Sequence, residues 1–240
     1  MANKVLITGG NSGIGFATAI KMKNEGLDVI ISGRSTERLE KAAKEIGCDF
    51  FKADISKLNE IELLAEYVKR KGINFVVLNA AAAVFKPIEE TDESDFEYFI
   101  NANIKGSYFL IKWLLPTLSL SKGAITIVTS AVVENGLPNA SLYALTKGAM
   151  DSLVKSLAVE TAAKGVRINA VAPGAIDTPI LDKLGIPKEA MAEIRSQQEQ
   201  MIPLKRYGYA SEIADVIYGQ LHCTYVTGAT WEADGGVNAI

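Results

Sequence analysis

Val5-Leu-Ile-Thr-Gly-Gly-Asn-Ser-Gly-Ile-Gly15 is the stretch that decides the fold. Val5 to Ile7 form a continuous apolar run, the pattern of a strand buried on both faces, and the residues from Gly13 onward open a helix. Between the two, Gly9, Gly13 and Gly15 allow a tight turn, close approach of an anion to main-chain N–H groups, and close packing of helix on sheet. A helix N-terminus favours negative charge, so the loop that includes Asn11, Ser12 and Ile14 suits the pyrophosphate of a dinucleotide.

The same alternation continues along the chain. Val29–Ile31, Phe50–Ala53, Phe75–Leu78, Ile125–Val128 and Ile168–Ala172 are further continuous apolar runs, with longer segments of helical spacing between them. Helices are expected at about Gly13–Asn24, stopping at Gly26, then at Glu37–Ile46, Asn59–Arg70 and Ala210–Leu221. Doubly buried strands joined by helices imply parallel pairing. The expectation is a single α/β domain over residues 1–240, a Rossmann-like doubly wound parallel sheet with helices on both faces. Asp177–Lys205 breaks the pattern, with prolines and glycines around a polar helix at Lys188–Gln200, and is expected to form a lid over a substrate. Strand-like text resumes at Tyr225–Gly228 and Thr230–Glu232.

Composition narrows the function. The 240 residues are 48% hydrophobic and 22% charged, with 25 basic and 28 acidic side chains and a net charge of −3, so no broad basic surface invites nucleic acid or anionic lipid. No apolar run approaches the roughly 20 residues that span a bilayer, so no membrane partner is expected. Met1-Ala-Asn-Lys4 runs straight into the first strand without a leader-like apolar segment, and the expected location is cytoplasmic. Cys48 and Cys223 stand apart from any metal-ligand spacing, and the acidic run Glu89–Asp95 reads as solvated carboxylates before a helix, so no metal is assigned. His222, the only histidine, is expected to pack rather than to act.

The second strand ends in Ser32-Gly33-Arg34-Ser35. A carboxylate at this distance from the glycines selects NAD through the ribose hydroxyls, whereas a guanidinium accommodates the 2′-phosphate of NADP. Arg34 therefore favours NADPH/NADP+ over NADH.

Ser130 follows the strand ending at Val128, and Tyr143 and Lys147 lie one helical turn apart on the next helix. Side chains at i and i+4 share a face, so an ammonium beneath a phenol can lower its pKa and make it an acid or base near neutral pH. Ser130, at the carboxyl end of a parallel strand, is placed to hydrogen-bond a substrate oxygen.

Taken together, these residues resemble the short-chain dehydrogenase/reductase family, in its shorter single-domain branch of 3-oxoacyl and carbonyl reductases. The resemblance covers almost the whole chain: Thr8–Gly15, Asp54 in Ala-Asp-Ile55, Leu78-Asn79-Ala80-Ala81, Asn103 in Asn-Ile-Lys-Gly106, the Ser130, Tyr143 and Lys147 set, Asn169 to Pro173-Gly174, Ile176, Thr178 and Asp234-Gly-Gly236. It implies that Tyr143 is the general acid for ketone reduction and the base for alcohol oxidation, with Ser130 orienting the carbonyl. Lys147 would hold the nicotinamide ribose and lower the tyrosine pKa, and Asn103 would anchor a water linking Lys147 to solvent. Asp54 would contact the adenine, while Ile176 and Thr178 would contact the nicotinamide amide and the phosphates. The chain departs from the family pattern at Leu78 and Ala81, where Asn and Gly are usual, and at Ser12, where many NADP-preferring relatives carry a basic residue.

The implied substrate is a small carbonyl or alcohol. Ile180, Leu181, Leu184, Ile186 and Met191 in the lid, with Val132, Val133, Leu137 and Leu142 near the site, suggest an apolar substrate region. Lys164, Arg167, Lys205 and Arg206 read as scattered surface charge rather than a dock for a carrier-bound substrate. Phe96, Phe99, Ile100, Tyr108, Leu110, Ile111, Trp113 and Leu114, and then Leu145, Met150, Leu153, Val154, Leu157 and Val159, cover more helix surface than one sheet face buries, which predicts a homodimer or homotetramer. The competing function is a non-catalytic dinucleotide-sensing or scaffold protein on the same fold.

Overall fold

Among the described residues nine strands order the structure: β1 (Lys4–Thr8), β2 (Asp28–Gly33), β3 (Asp49–Lys52), β4 (Phe75–Leu78), β5 (Ala124–Val128), β6 (Arg167–Pro173), β7 (Ile176–Asp177), β8 (Gly208–Tyr209) and β9 (Thr230–Ala233). They belong to a computed structural model that describes residues 2–83, 85–179 and 188–239, with side chains of the last segment from 192 onward. Seven form one wholly parallel sheet in the order β3-β2-β1-β4-β5-β6-β9, and β7 pairs with β8 beside it. Val5 sits in register with Val29 on one side and Phe75 on the other, which is why the run Val5–Ile7 is fully buried.

The α-helices among the described residues are α1 (Gly13–Asn24), α2 (Thr36–Ile46), α3 (Leu58–Lys71), α4 (Glu93–Phe99), α5 (Gly106–Ser121), α6 (Ser141–Ala162), α7 (Lys188–Met201) and α8 (Ala210–His222). Because alternate strand residues point to opposite faces, Leu6, Ile30, Val76 and Ile125 pack with α3, α5 and α6, while Val5, Ile7, Val29 and Val77 pack with α1, α2 and α8. This is the expected doubly wound α/β fold. At the carboxyl edge the connections from β1 and β4 leave in opposite directions, opening the crevice in which such folds hold ligands.

Local signals explain the boundaries. Gly26 takes φ +82° just past α1, the left-handed conformation that ends a helix. Ser35 caps α2 by accepting from the Arg38 N–H, and the Asp92 and Asp95 side chains form a capping box on α4. A π-helical turn at Ile100–Lys105 joins α4 to α5, so the long apolar segment around Asn103 is not one regular helix.

Two features differ from the sequence expectation. Tyr225–Gly228 is a loop: Tyr225 is fully exposed and Gly228 has φ +77°. It meets β6 through side chains and one end of its backbone: Asn169 Nδ2 donates to the Val226 carbonyl at 3.0 Å, Thr227 Oγ1 accepts from the Ile168 N–H at 3.2 Å, and the Gly228 N–H donates to the Ile168 carbonyl at 2.8 Å. In the lid region, Ile180, Leu181, Leu184 and Ile186 and the side chain of Met191 lie outside the described residues. What is described of that region is α7, tied to β7 by Arg195 Nη2 on Asp177 at 3.2 Å, with the guanidinium stacked 4.7 Å from the Tyr207 ring centre.

Candidate active site

The glycine loop is held by hydrogen bonds to its neighbours. Gly9 and Gly10 donate their N–H groups to the Ser32 carbonyl at 2.7 and 3.2 Å. Asn79 reaches across from β4, donating through Nδ2 to the Thr8 and Gly9 carbonyls at 3.1 and 3.3 Å, while Thr8 Oγ1 accepts from the N–H groups of Asn79 and Ala80 at 3.0 Å each. Gly15 permits α1 to lie against this loop, since a Cβ there would stand 2.3 Å from the Gly9 carbonyl oxygen. At the start of α1 Ser12 makes no side-chain cap and the first turn carries no acidic residue, so an uncapped helix N-terminus faces the crevice.

A cleft of about 370 Å³ runs over this loop. Its lining includes Gly9, Asn11, Ser12, Gly13, Ile14, Arg34, Ser35, Asp54, Ile55, Asn79, Ala80, Ala81 and Thr178, all singled out in the sequence. Pro173 and Gly174 at the end of β6 and Ile176 on β7 lie outside that lining; Gly174 instead packs on Asp234, where a Cβ would come within 2.7 Å of Cα. Burial works against the Asp54 carboxylate, but the Ser56 N–H and hydroxyl, at 3.0 and 2.8 Å, and the nearby Arg34 charge hold its pKa below the ordinary value. Leu78 is buried in the core and Ala81 is exposed on the cleft wall.

At one end of the cleft stand two guanidiniums. Arg34 donates through Nη1 to the Tyr98 hydroxyl at 2.9 Å, and Arg38, one turn into α2, lines the same wall. Sequence reasoning missed Arg38, although its i+4 spacing from Arg34 was available as a signal. It also missed Tyr98, brought over from α4, and Phe85, whose ring centre lies 5.6 Å from that of Tyr143.

Next to the cleft, Ser130 follows β5 in extended conformation, near enough to Tyr143 for its hydroxyl to favour the phenolate. Ala82 of the cleft wall packs in a small cluster with Phe99, Ala102 and Tyr143, which ties the cleft to this group. Lys147 Nζ lies 5.6 Å from the Tyr143 ring centre but donates to the Val128 carbonyl at 2.7 Å. Burial lowers the Lys147 pKa from 10.5 to about 8. The expected depression of the tyrosine pKa is absent in this arrangement: burial pushes the Tyr143 phenol up, only Ser130 opposes it, and the Lys147 ammonium is engaged with a carbonyl instead.

Asn103 is buried between the cleft wall and α6. Its amide accepts from the Ala82 N–H at 2.6 Å and donates to the Ala82 carbonyl at 3.1 Å and to Thr146 Oγ1 at 2.9 Å. The side chain joins the cleft wall to α6, the helix that carries Tyr143 and Lys147.

Other polar residues that the sequence offers are held by packing or by hydrogen bonds. His222 stacks on Tyr218 and Phe75, with ring centres 4.2 and 5.2 Å away. Arg167 donates to the carbonyls of Gln220, Leu221, Cys223 and Val226, and Arg206 pairs with Glu212. Among the described residues no three His, Cys, Asp or Glu side chains cluster as metal ligands, and no helix is long and apolar enough to cross a membrane.

Comparison with known proteins bears on what this site is. The family profile described as Enoyl-(Acyl carrier protein) reductase matches residues 9–238. A short chain dehydrogenase/reductase family protein of known structure superposes with a TM-score of 0.90 at 33% identity, covering 99% of this chain and 98% of that one. The chain belongs to the short-chain dehydrogenase/reductase family. Within it, a glucose 1-dehydrogenase of Gluconobacter oxydans is 35% identical over 98% of this chain and 91% of its own length. The 3-oxoacyl-(acyl-carrier-protein) reductase FabG of Thermotoga maritima is 34% identical over 97% of this chain and 96% of its own. An actinorhodin polyketide ketoreductase solved with NADPH matches with a TM-score of 0.91 at 25% identity, covering 100% of this chain and 98% of that one. As a member of this family the protein is an oxidoreductase using a nicotinamide cofactor. The cleft fits such a group: the uncapped α1 N-terminus and the glycine loop in its lining suit a pyrophosphate.

Proposed function

We propose that this short-chain dehydrogenase/reductase is NADP(H)-dependent and transfers hydride between the cofactor and a ketone or secondary alcohol, as a carbonyl reductase or 3-oxoacyl reductase. The observation that carries the proposal is the convergence of Ser130, Tyr143 and Lys147 beside a cleft whose other end holds Arg34 and Arg38. When bound, the nicotinamide supplies or accepts the hydride. Tyr143 then donates its phenolic proton to the carbonyl oxygen in reduction and removes it from the alcohol in oxidation. Ser130 Oγ donates a hydrogen bond to the same oxygen and holds the carbonyl against the tyrosine. Lys147, cationic below about pH 8, would hold the ribose hydroxyls of the bound cofactor and, once turned from the Val128 carbonyl, would stabilise the phenolate. Arg34 and Arg38 pair with the 2′-phosphate, and Asn103 keeps α6 in place against the cleft wall.

On the same reading the whole chain is one dinucleotide-binding and catalytic domain, with a lid at about 177–205. It acts in the cytoplasm as a homodimer or homotetramer, in which partner subunits cover Phe96 and Tyr108, exposed by 45% each, and Leu145 and Val159, exposed by 48% and 81%. Calorimetric titration with NADPH and NADH, followed by assay of ketones with the wild type and Tyr143→Phe, tests the proposal. Preference for NADPH and turnover that depends on Tyr143 support it. Equal affinities refute the selectivity, and cofactor binding without reduction of any ketone leaves a dinucleotide sensor in its place.

A further inference from the structure

The segment after β9 folds back onto the strand end that carries Ser130. The buried Asp234 carboxylate accepts from the N–H groups of Gly236 and Asn238, each at 2.8 Å, across a turn in which Gly235 and Gly236 take φ +70° and +90°. That fixes the backbone of Asn238 and directs its amide at one short turn, Ala131–Val133, and the residues just after it. Asn238 Nδ2 donates to the Ala131 carbonyl at 3.3 Å, and Asn238 Oδ1 accepts from Asn135 Nδ2. Ser130 begins this turn: its carbonyl accepts from the Val133 N–H at 3.2 Å and its Oγ from the Val132 N–H at 3.3 Å.

We propose that Asn238 is a positioning residue for carbonyl reduction, holding the 131–135 turn so that Ser130 Oγ stays in register with Tyr143 and the substrate oxygen. The inference rests on the reading of Ser130 and Tyr143 given above. An amide is the group the geometry demands, because one end must donate to a carbonyl and the other must accept from an amide N–H. Aspartate in its place would set a carboxylate oxygen against the Ala131 carbonyl. Alanine would remove both bonds without leaving that carbonyl unpaired, since it also accepts from the Glu134 and Asn135 N–H groups at 3.1 and 3.3 Å. The turn therefore survives the loss but is held less firmly.

The test is kinetic, with a structural arm. Asn238→Ala lowers kcat by roughly tenfold, the cost of about one net hydrogen bond at a site where ångström errors matter, and leaves cofactor affinity within about twofold. Asn238→Asp falls at least as far. In a Ser130→Ala background Asn238→Ala causes no further fall, because its effect passes through Ser130; a further fall equal to that in the wild type would mean a general structural role and overturn the proposal. Native-state hydrogen exchange supplies the arm independent of turnover: the N–H groups of Val133, Glu134 and Asn135 exchange roughly tenfold faster in Asn238→Ala, while the Gly9–Gly15 loop is unchanged. Unchanged exchange at the turn overturns the proposal even if no ketone is reduced, whereas failure of the wild type on every ketone with the exchange effect present refutes the functional reading alone.

Discussion

Replacing Gly15 with alanine attacks the contact that lets α1 approach the sheet and present its N-terminus to the cleft. The new Cβ would stand 2.3 Å from the Gly9 carbonyl oxygen and 2.5 Å from Asn79 Nδ2, about an ångström inside ordinary contact. Either the helix start moves outward, at the roughly 1–3 kcal/mol typical of overpacking, or Asn79 gives way and loses its bonds to Thr8 and Gly9, at about 1 kcal/mol each. Both routes end near 2–3 kcal/mol, which for a domain of this size lowers Tm by roughly 5–10 °C. The same displacement moves the N–H groups that face the pyrophosphate, so dinucleotide affinity falls by tenfold or more. Gly219→Ala is the internal control: no atom lies within 4 Å of its added Cβ in the middle of α8, so it stabilises by about 0.5–1 kcal/mol. Thermal unfolding and calorimetric titration read both effects. A Gly15→Ala protein that melts with the wild type and binds the dinucleotide equally well refutes the close-packing argument.

Other outcomes follow from the same geometry. Arg34→Ala and Arg38→Ala each weaken NADPH by about tenfold and NADH by less than twofold in calorimetry, the loss expected for an exposed charge-assisted phosphate contact; equal losses for both cofactors would contradict the assignment. Tyr143→Phe lowers turnover by roughly 10²–10⁴-fold with cofactor affinity nearly intact, measured by NADPH absorbance and titration. Lys147 has a folded pKa of about 8 against 10.5 in its ordinary state, so between these values the unfolded chain binds more protons and stability rises with pH. The penalty, roughly 3 kcal/mol in full below pH 8, is relieved as pH approaches 10.5. Urea unfolding of the wild type minus Lys147→Met, followed from pH 7 to 10, shows that rise, and parallel curves would remove the claim that burial alone sets this lysine.

What the sequence revealed, and what it hid, divides along physical lines. Strands β1, β2, β4, β5 and β6 were legible because they are buried on both faces and so read as largely apolar runs, as Val5–Ile7 does, while the edge strand β3 showed itself through Phe50 and Phe51. The glycine loop was legible because its backbone demands leave few residue choices at Gly9, Gly13 and Gly15. Tyr225–Gly228 misled because β-favouring side chains fill a loop that meets β6 through the Asn169 and Thr227 side chains and the Gly228 N–H rather than a strand ladder, which no local pattern records. Asn103 was located, but its partners Ala82 and Thr146 were hidden because they come from two other elements. Tyr98 against Arg34, Phe85 against Tyr143 and Asn238 against Ala131 are likewise contacts between distant segments, decided by tertiary packing alone. The direction of Lys147 was hidden for a related reason: i and i+4 spacing places it beneath Tyr143, but the Val128 carbonyl decides where its ammonium points.

The central claim is hydride transfer assisted by Tyr143, and label transfer tests it most directly. Incubating the protein with NADPH deuterated at C4 and a panel of ketones, then analysing the product alcohols by mass spectrometry, is expected to place deuterium on the carbinol carbon with the wild type and not with Tyr143→Phe. Tight NADPH binding with no deuterium in any product, or equal labelling by the Tyr143→Phe variant, would contradict it.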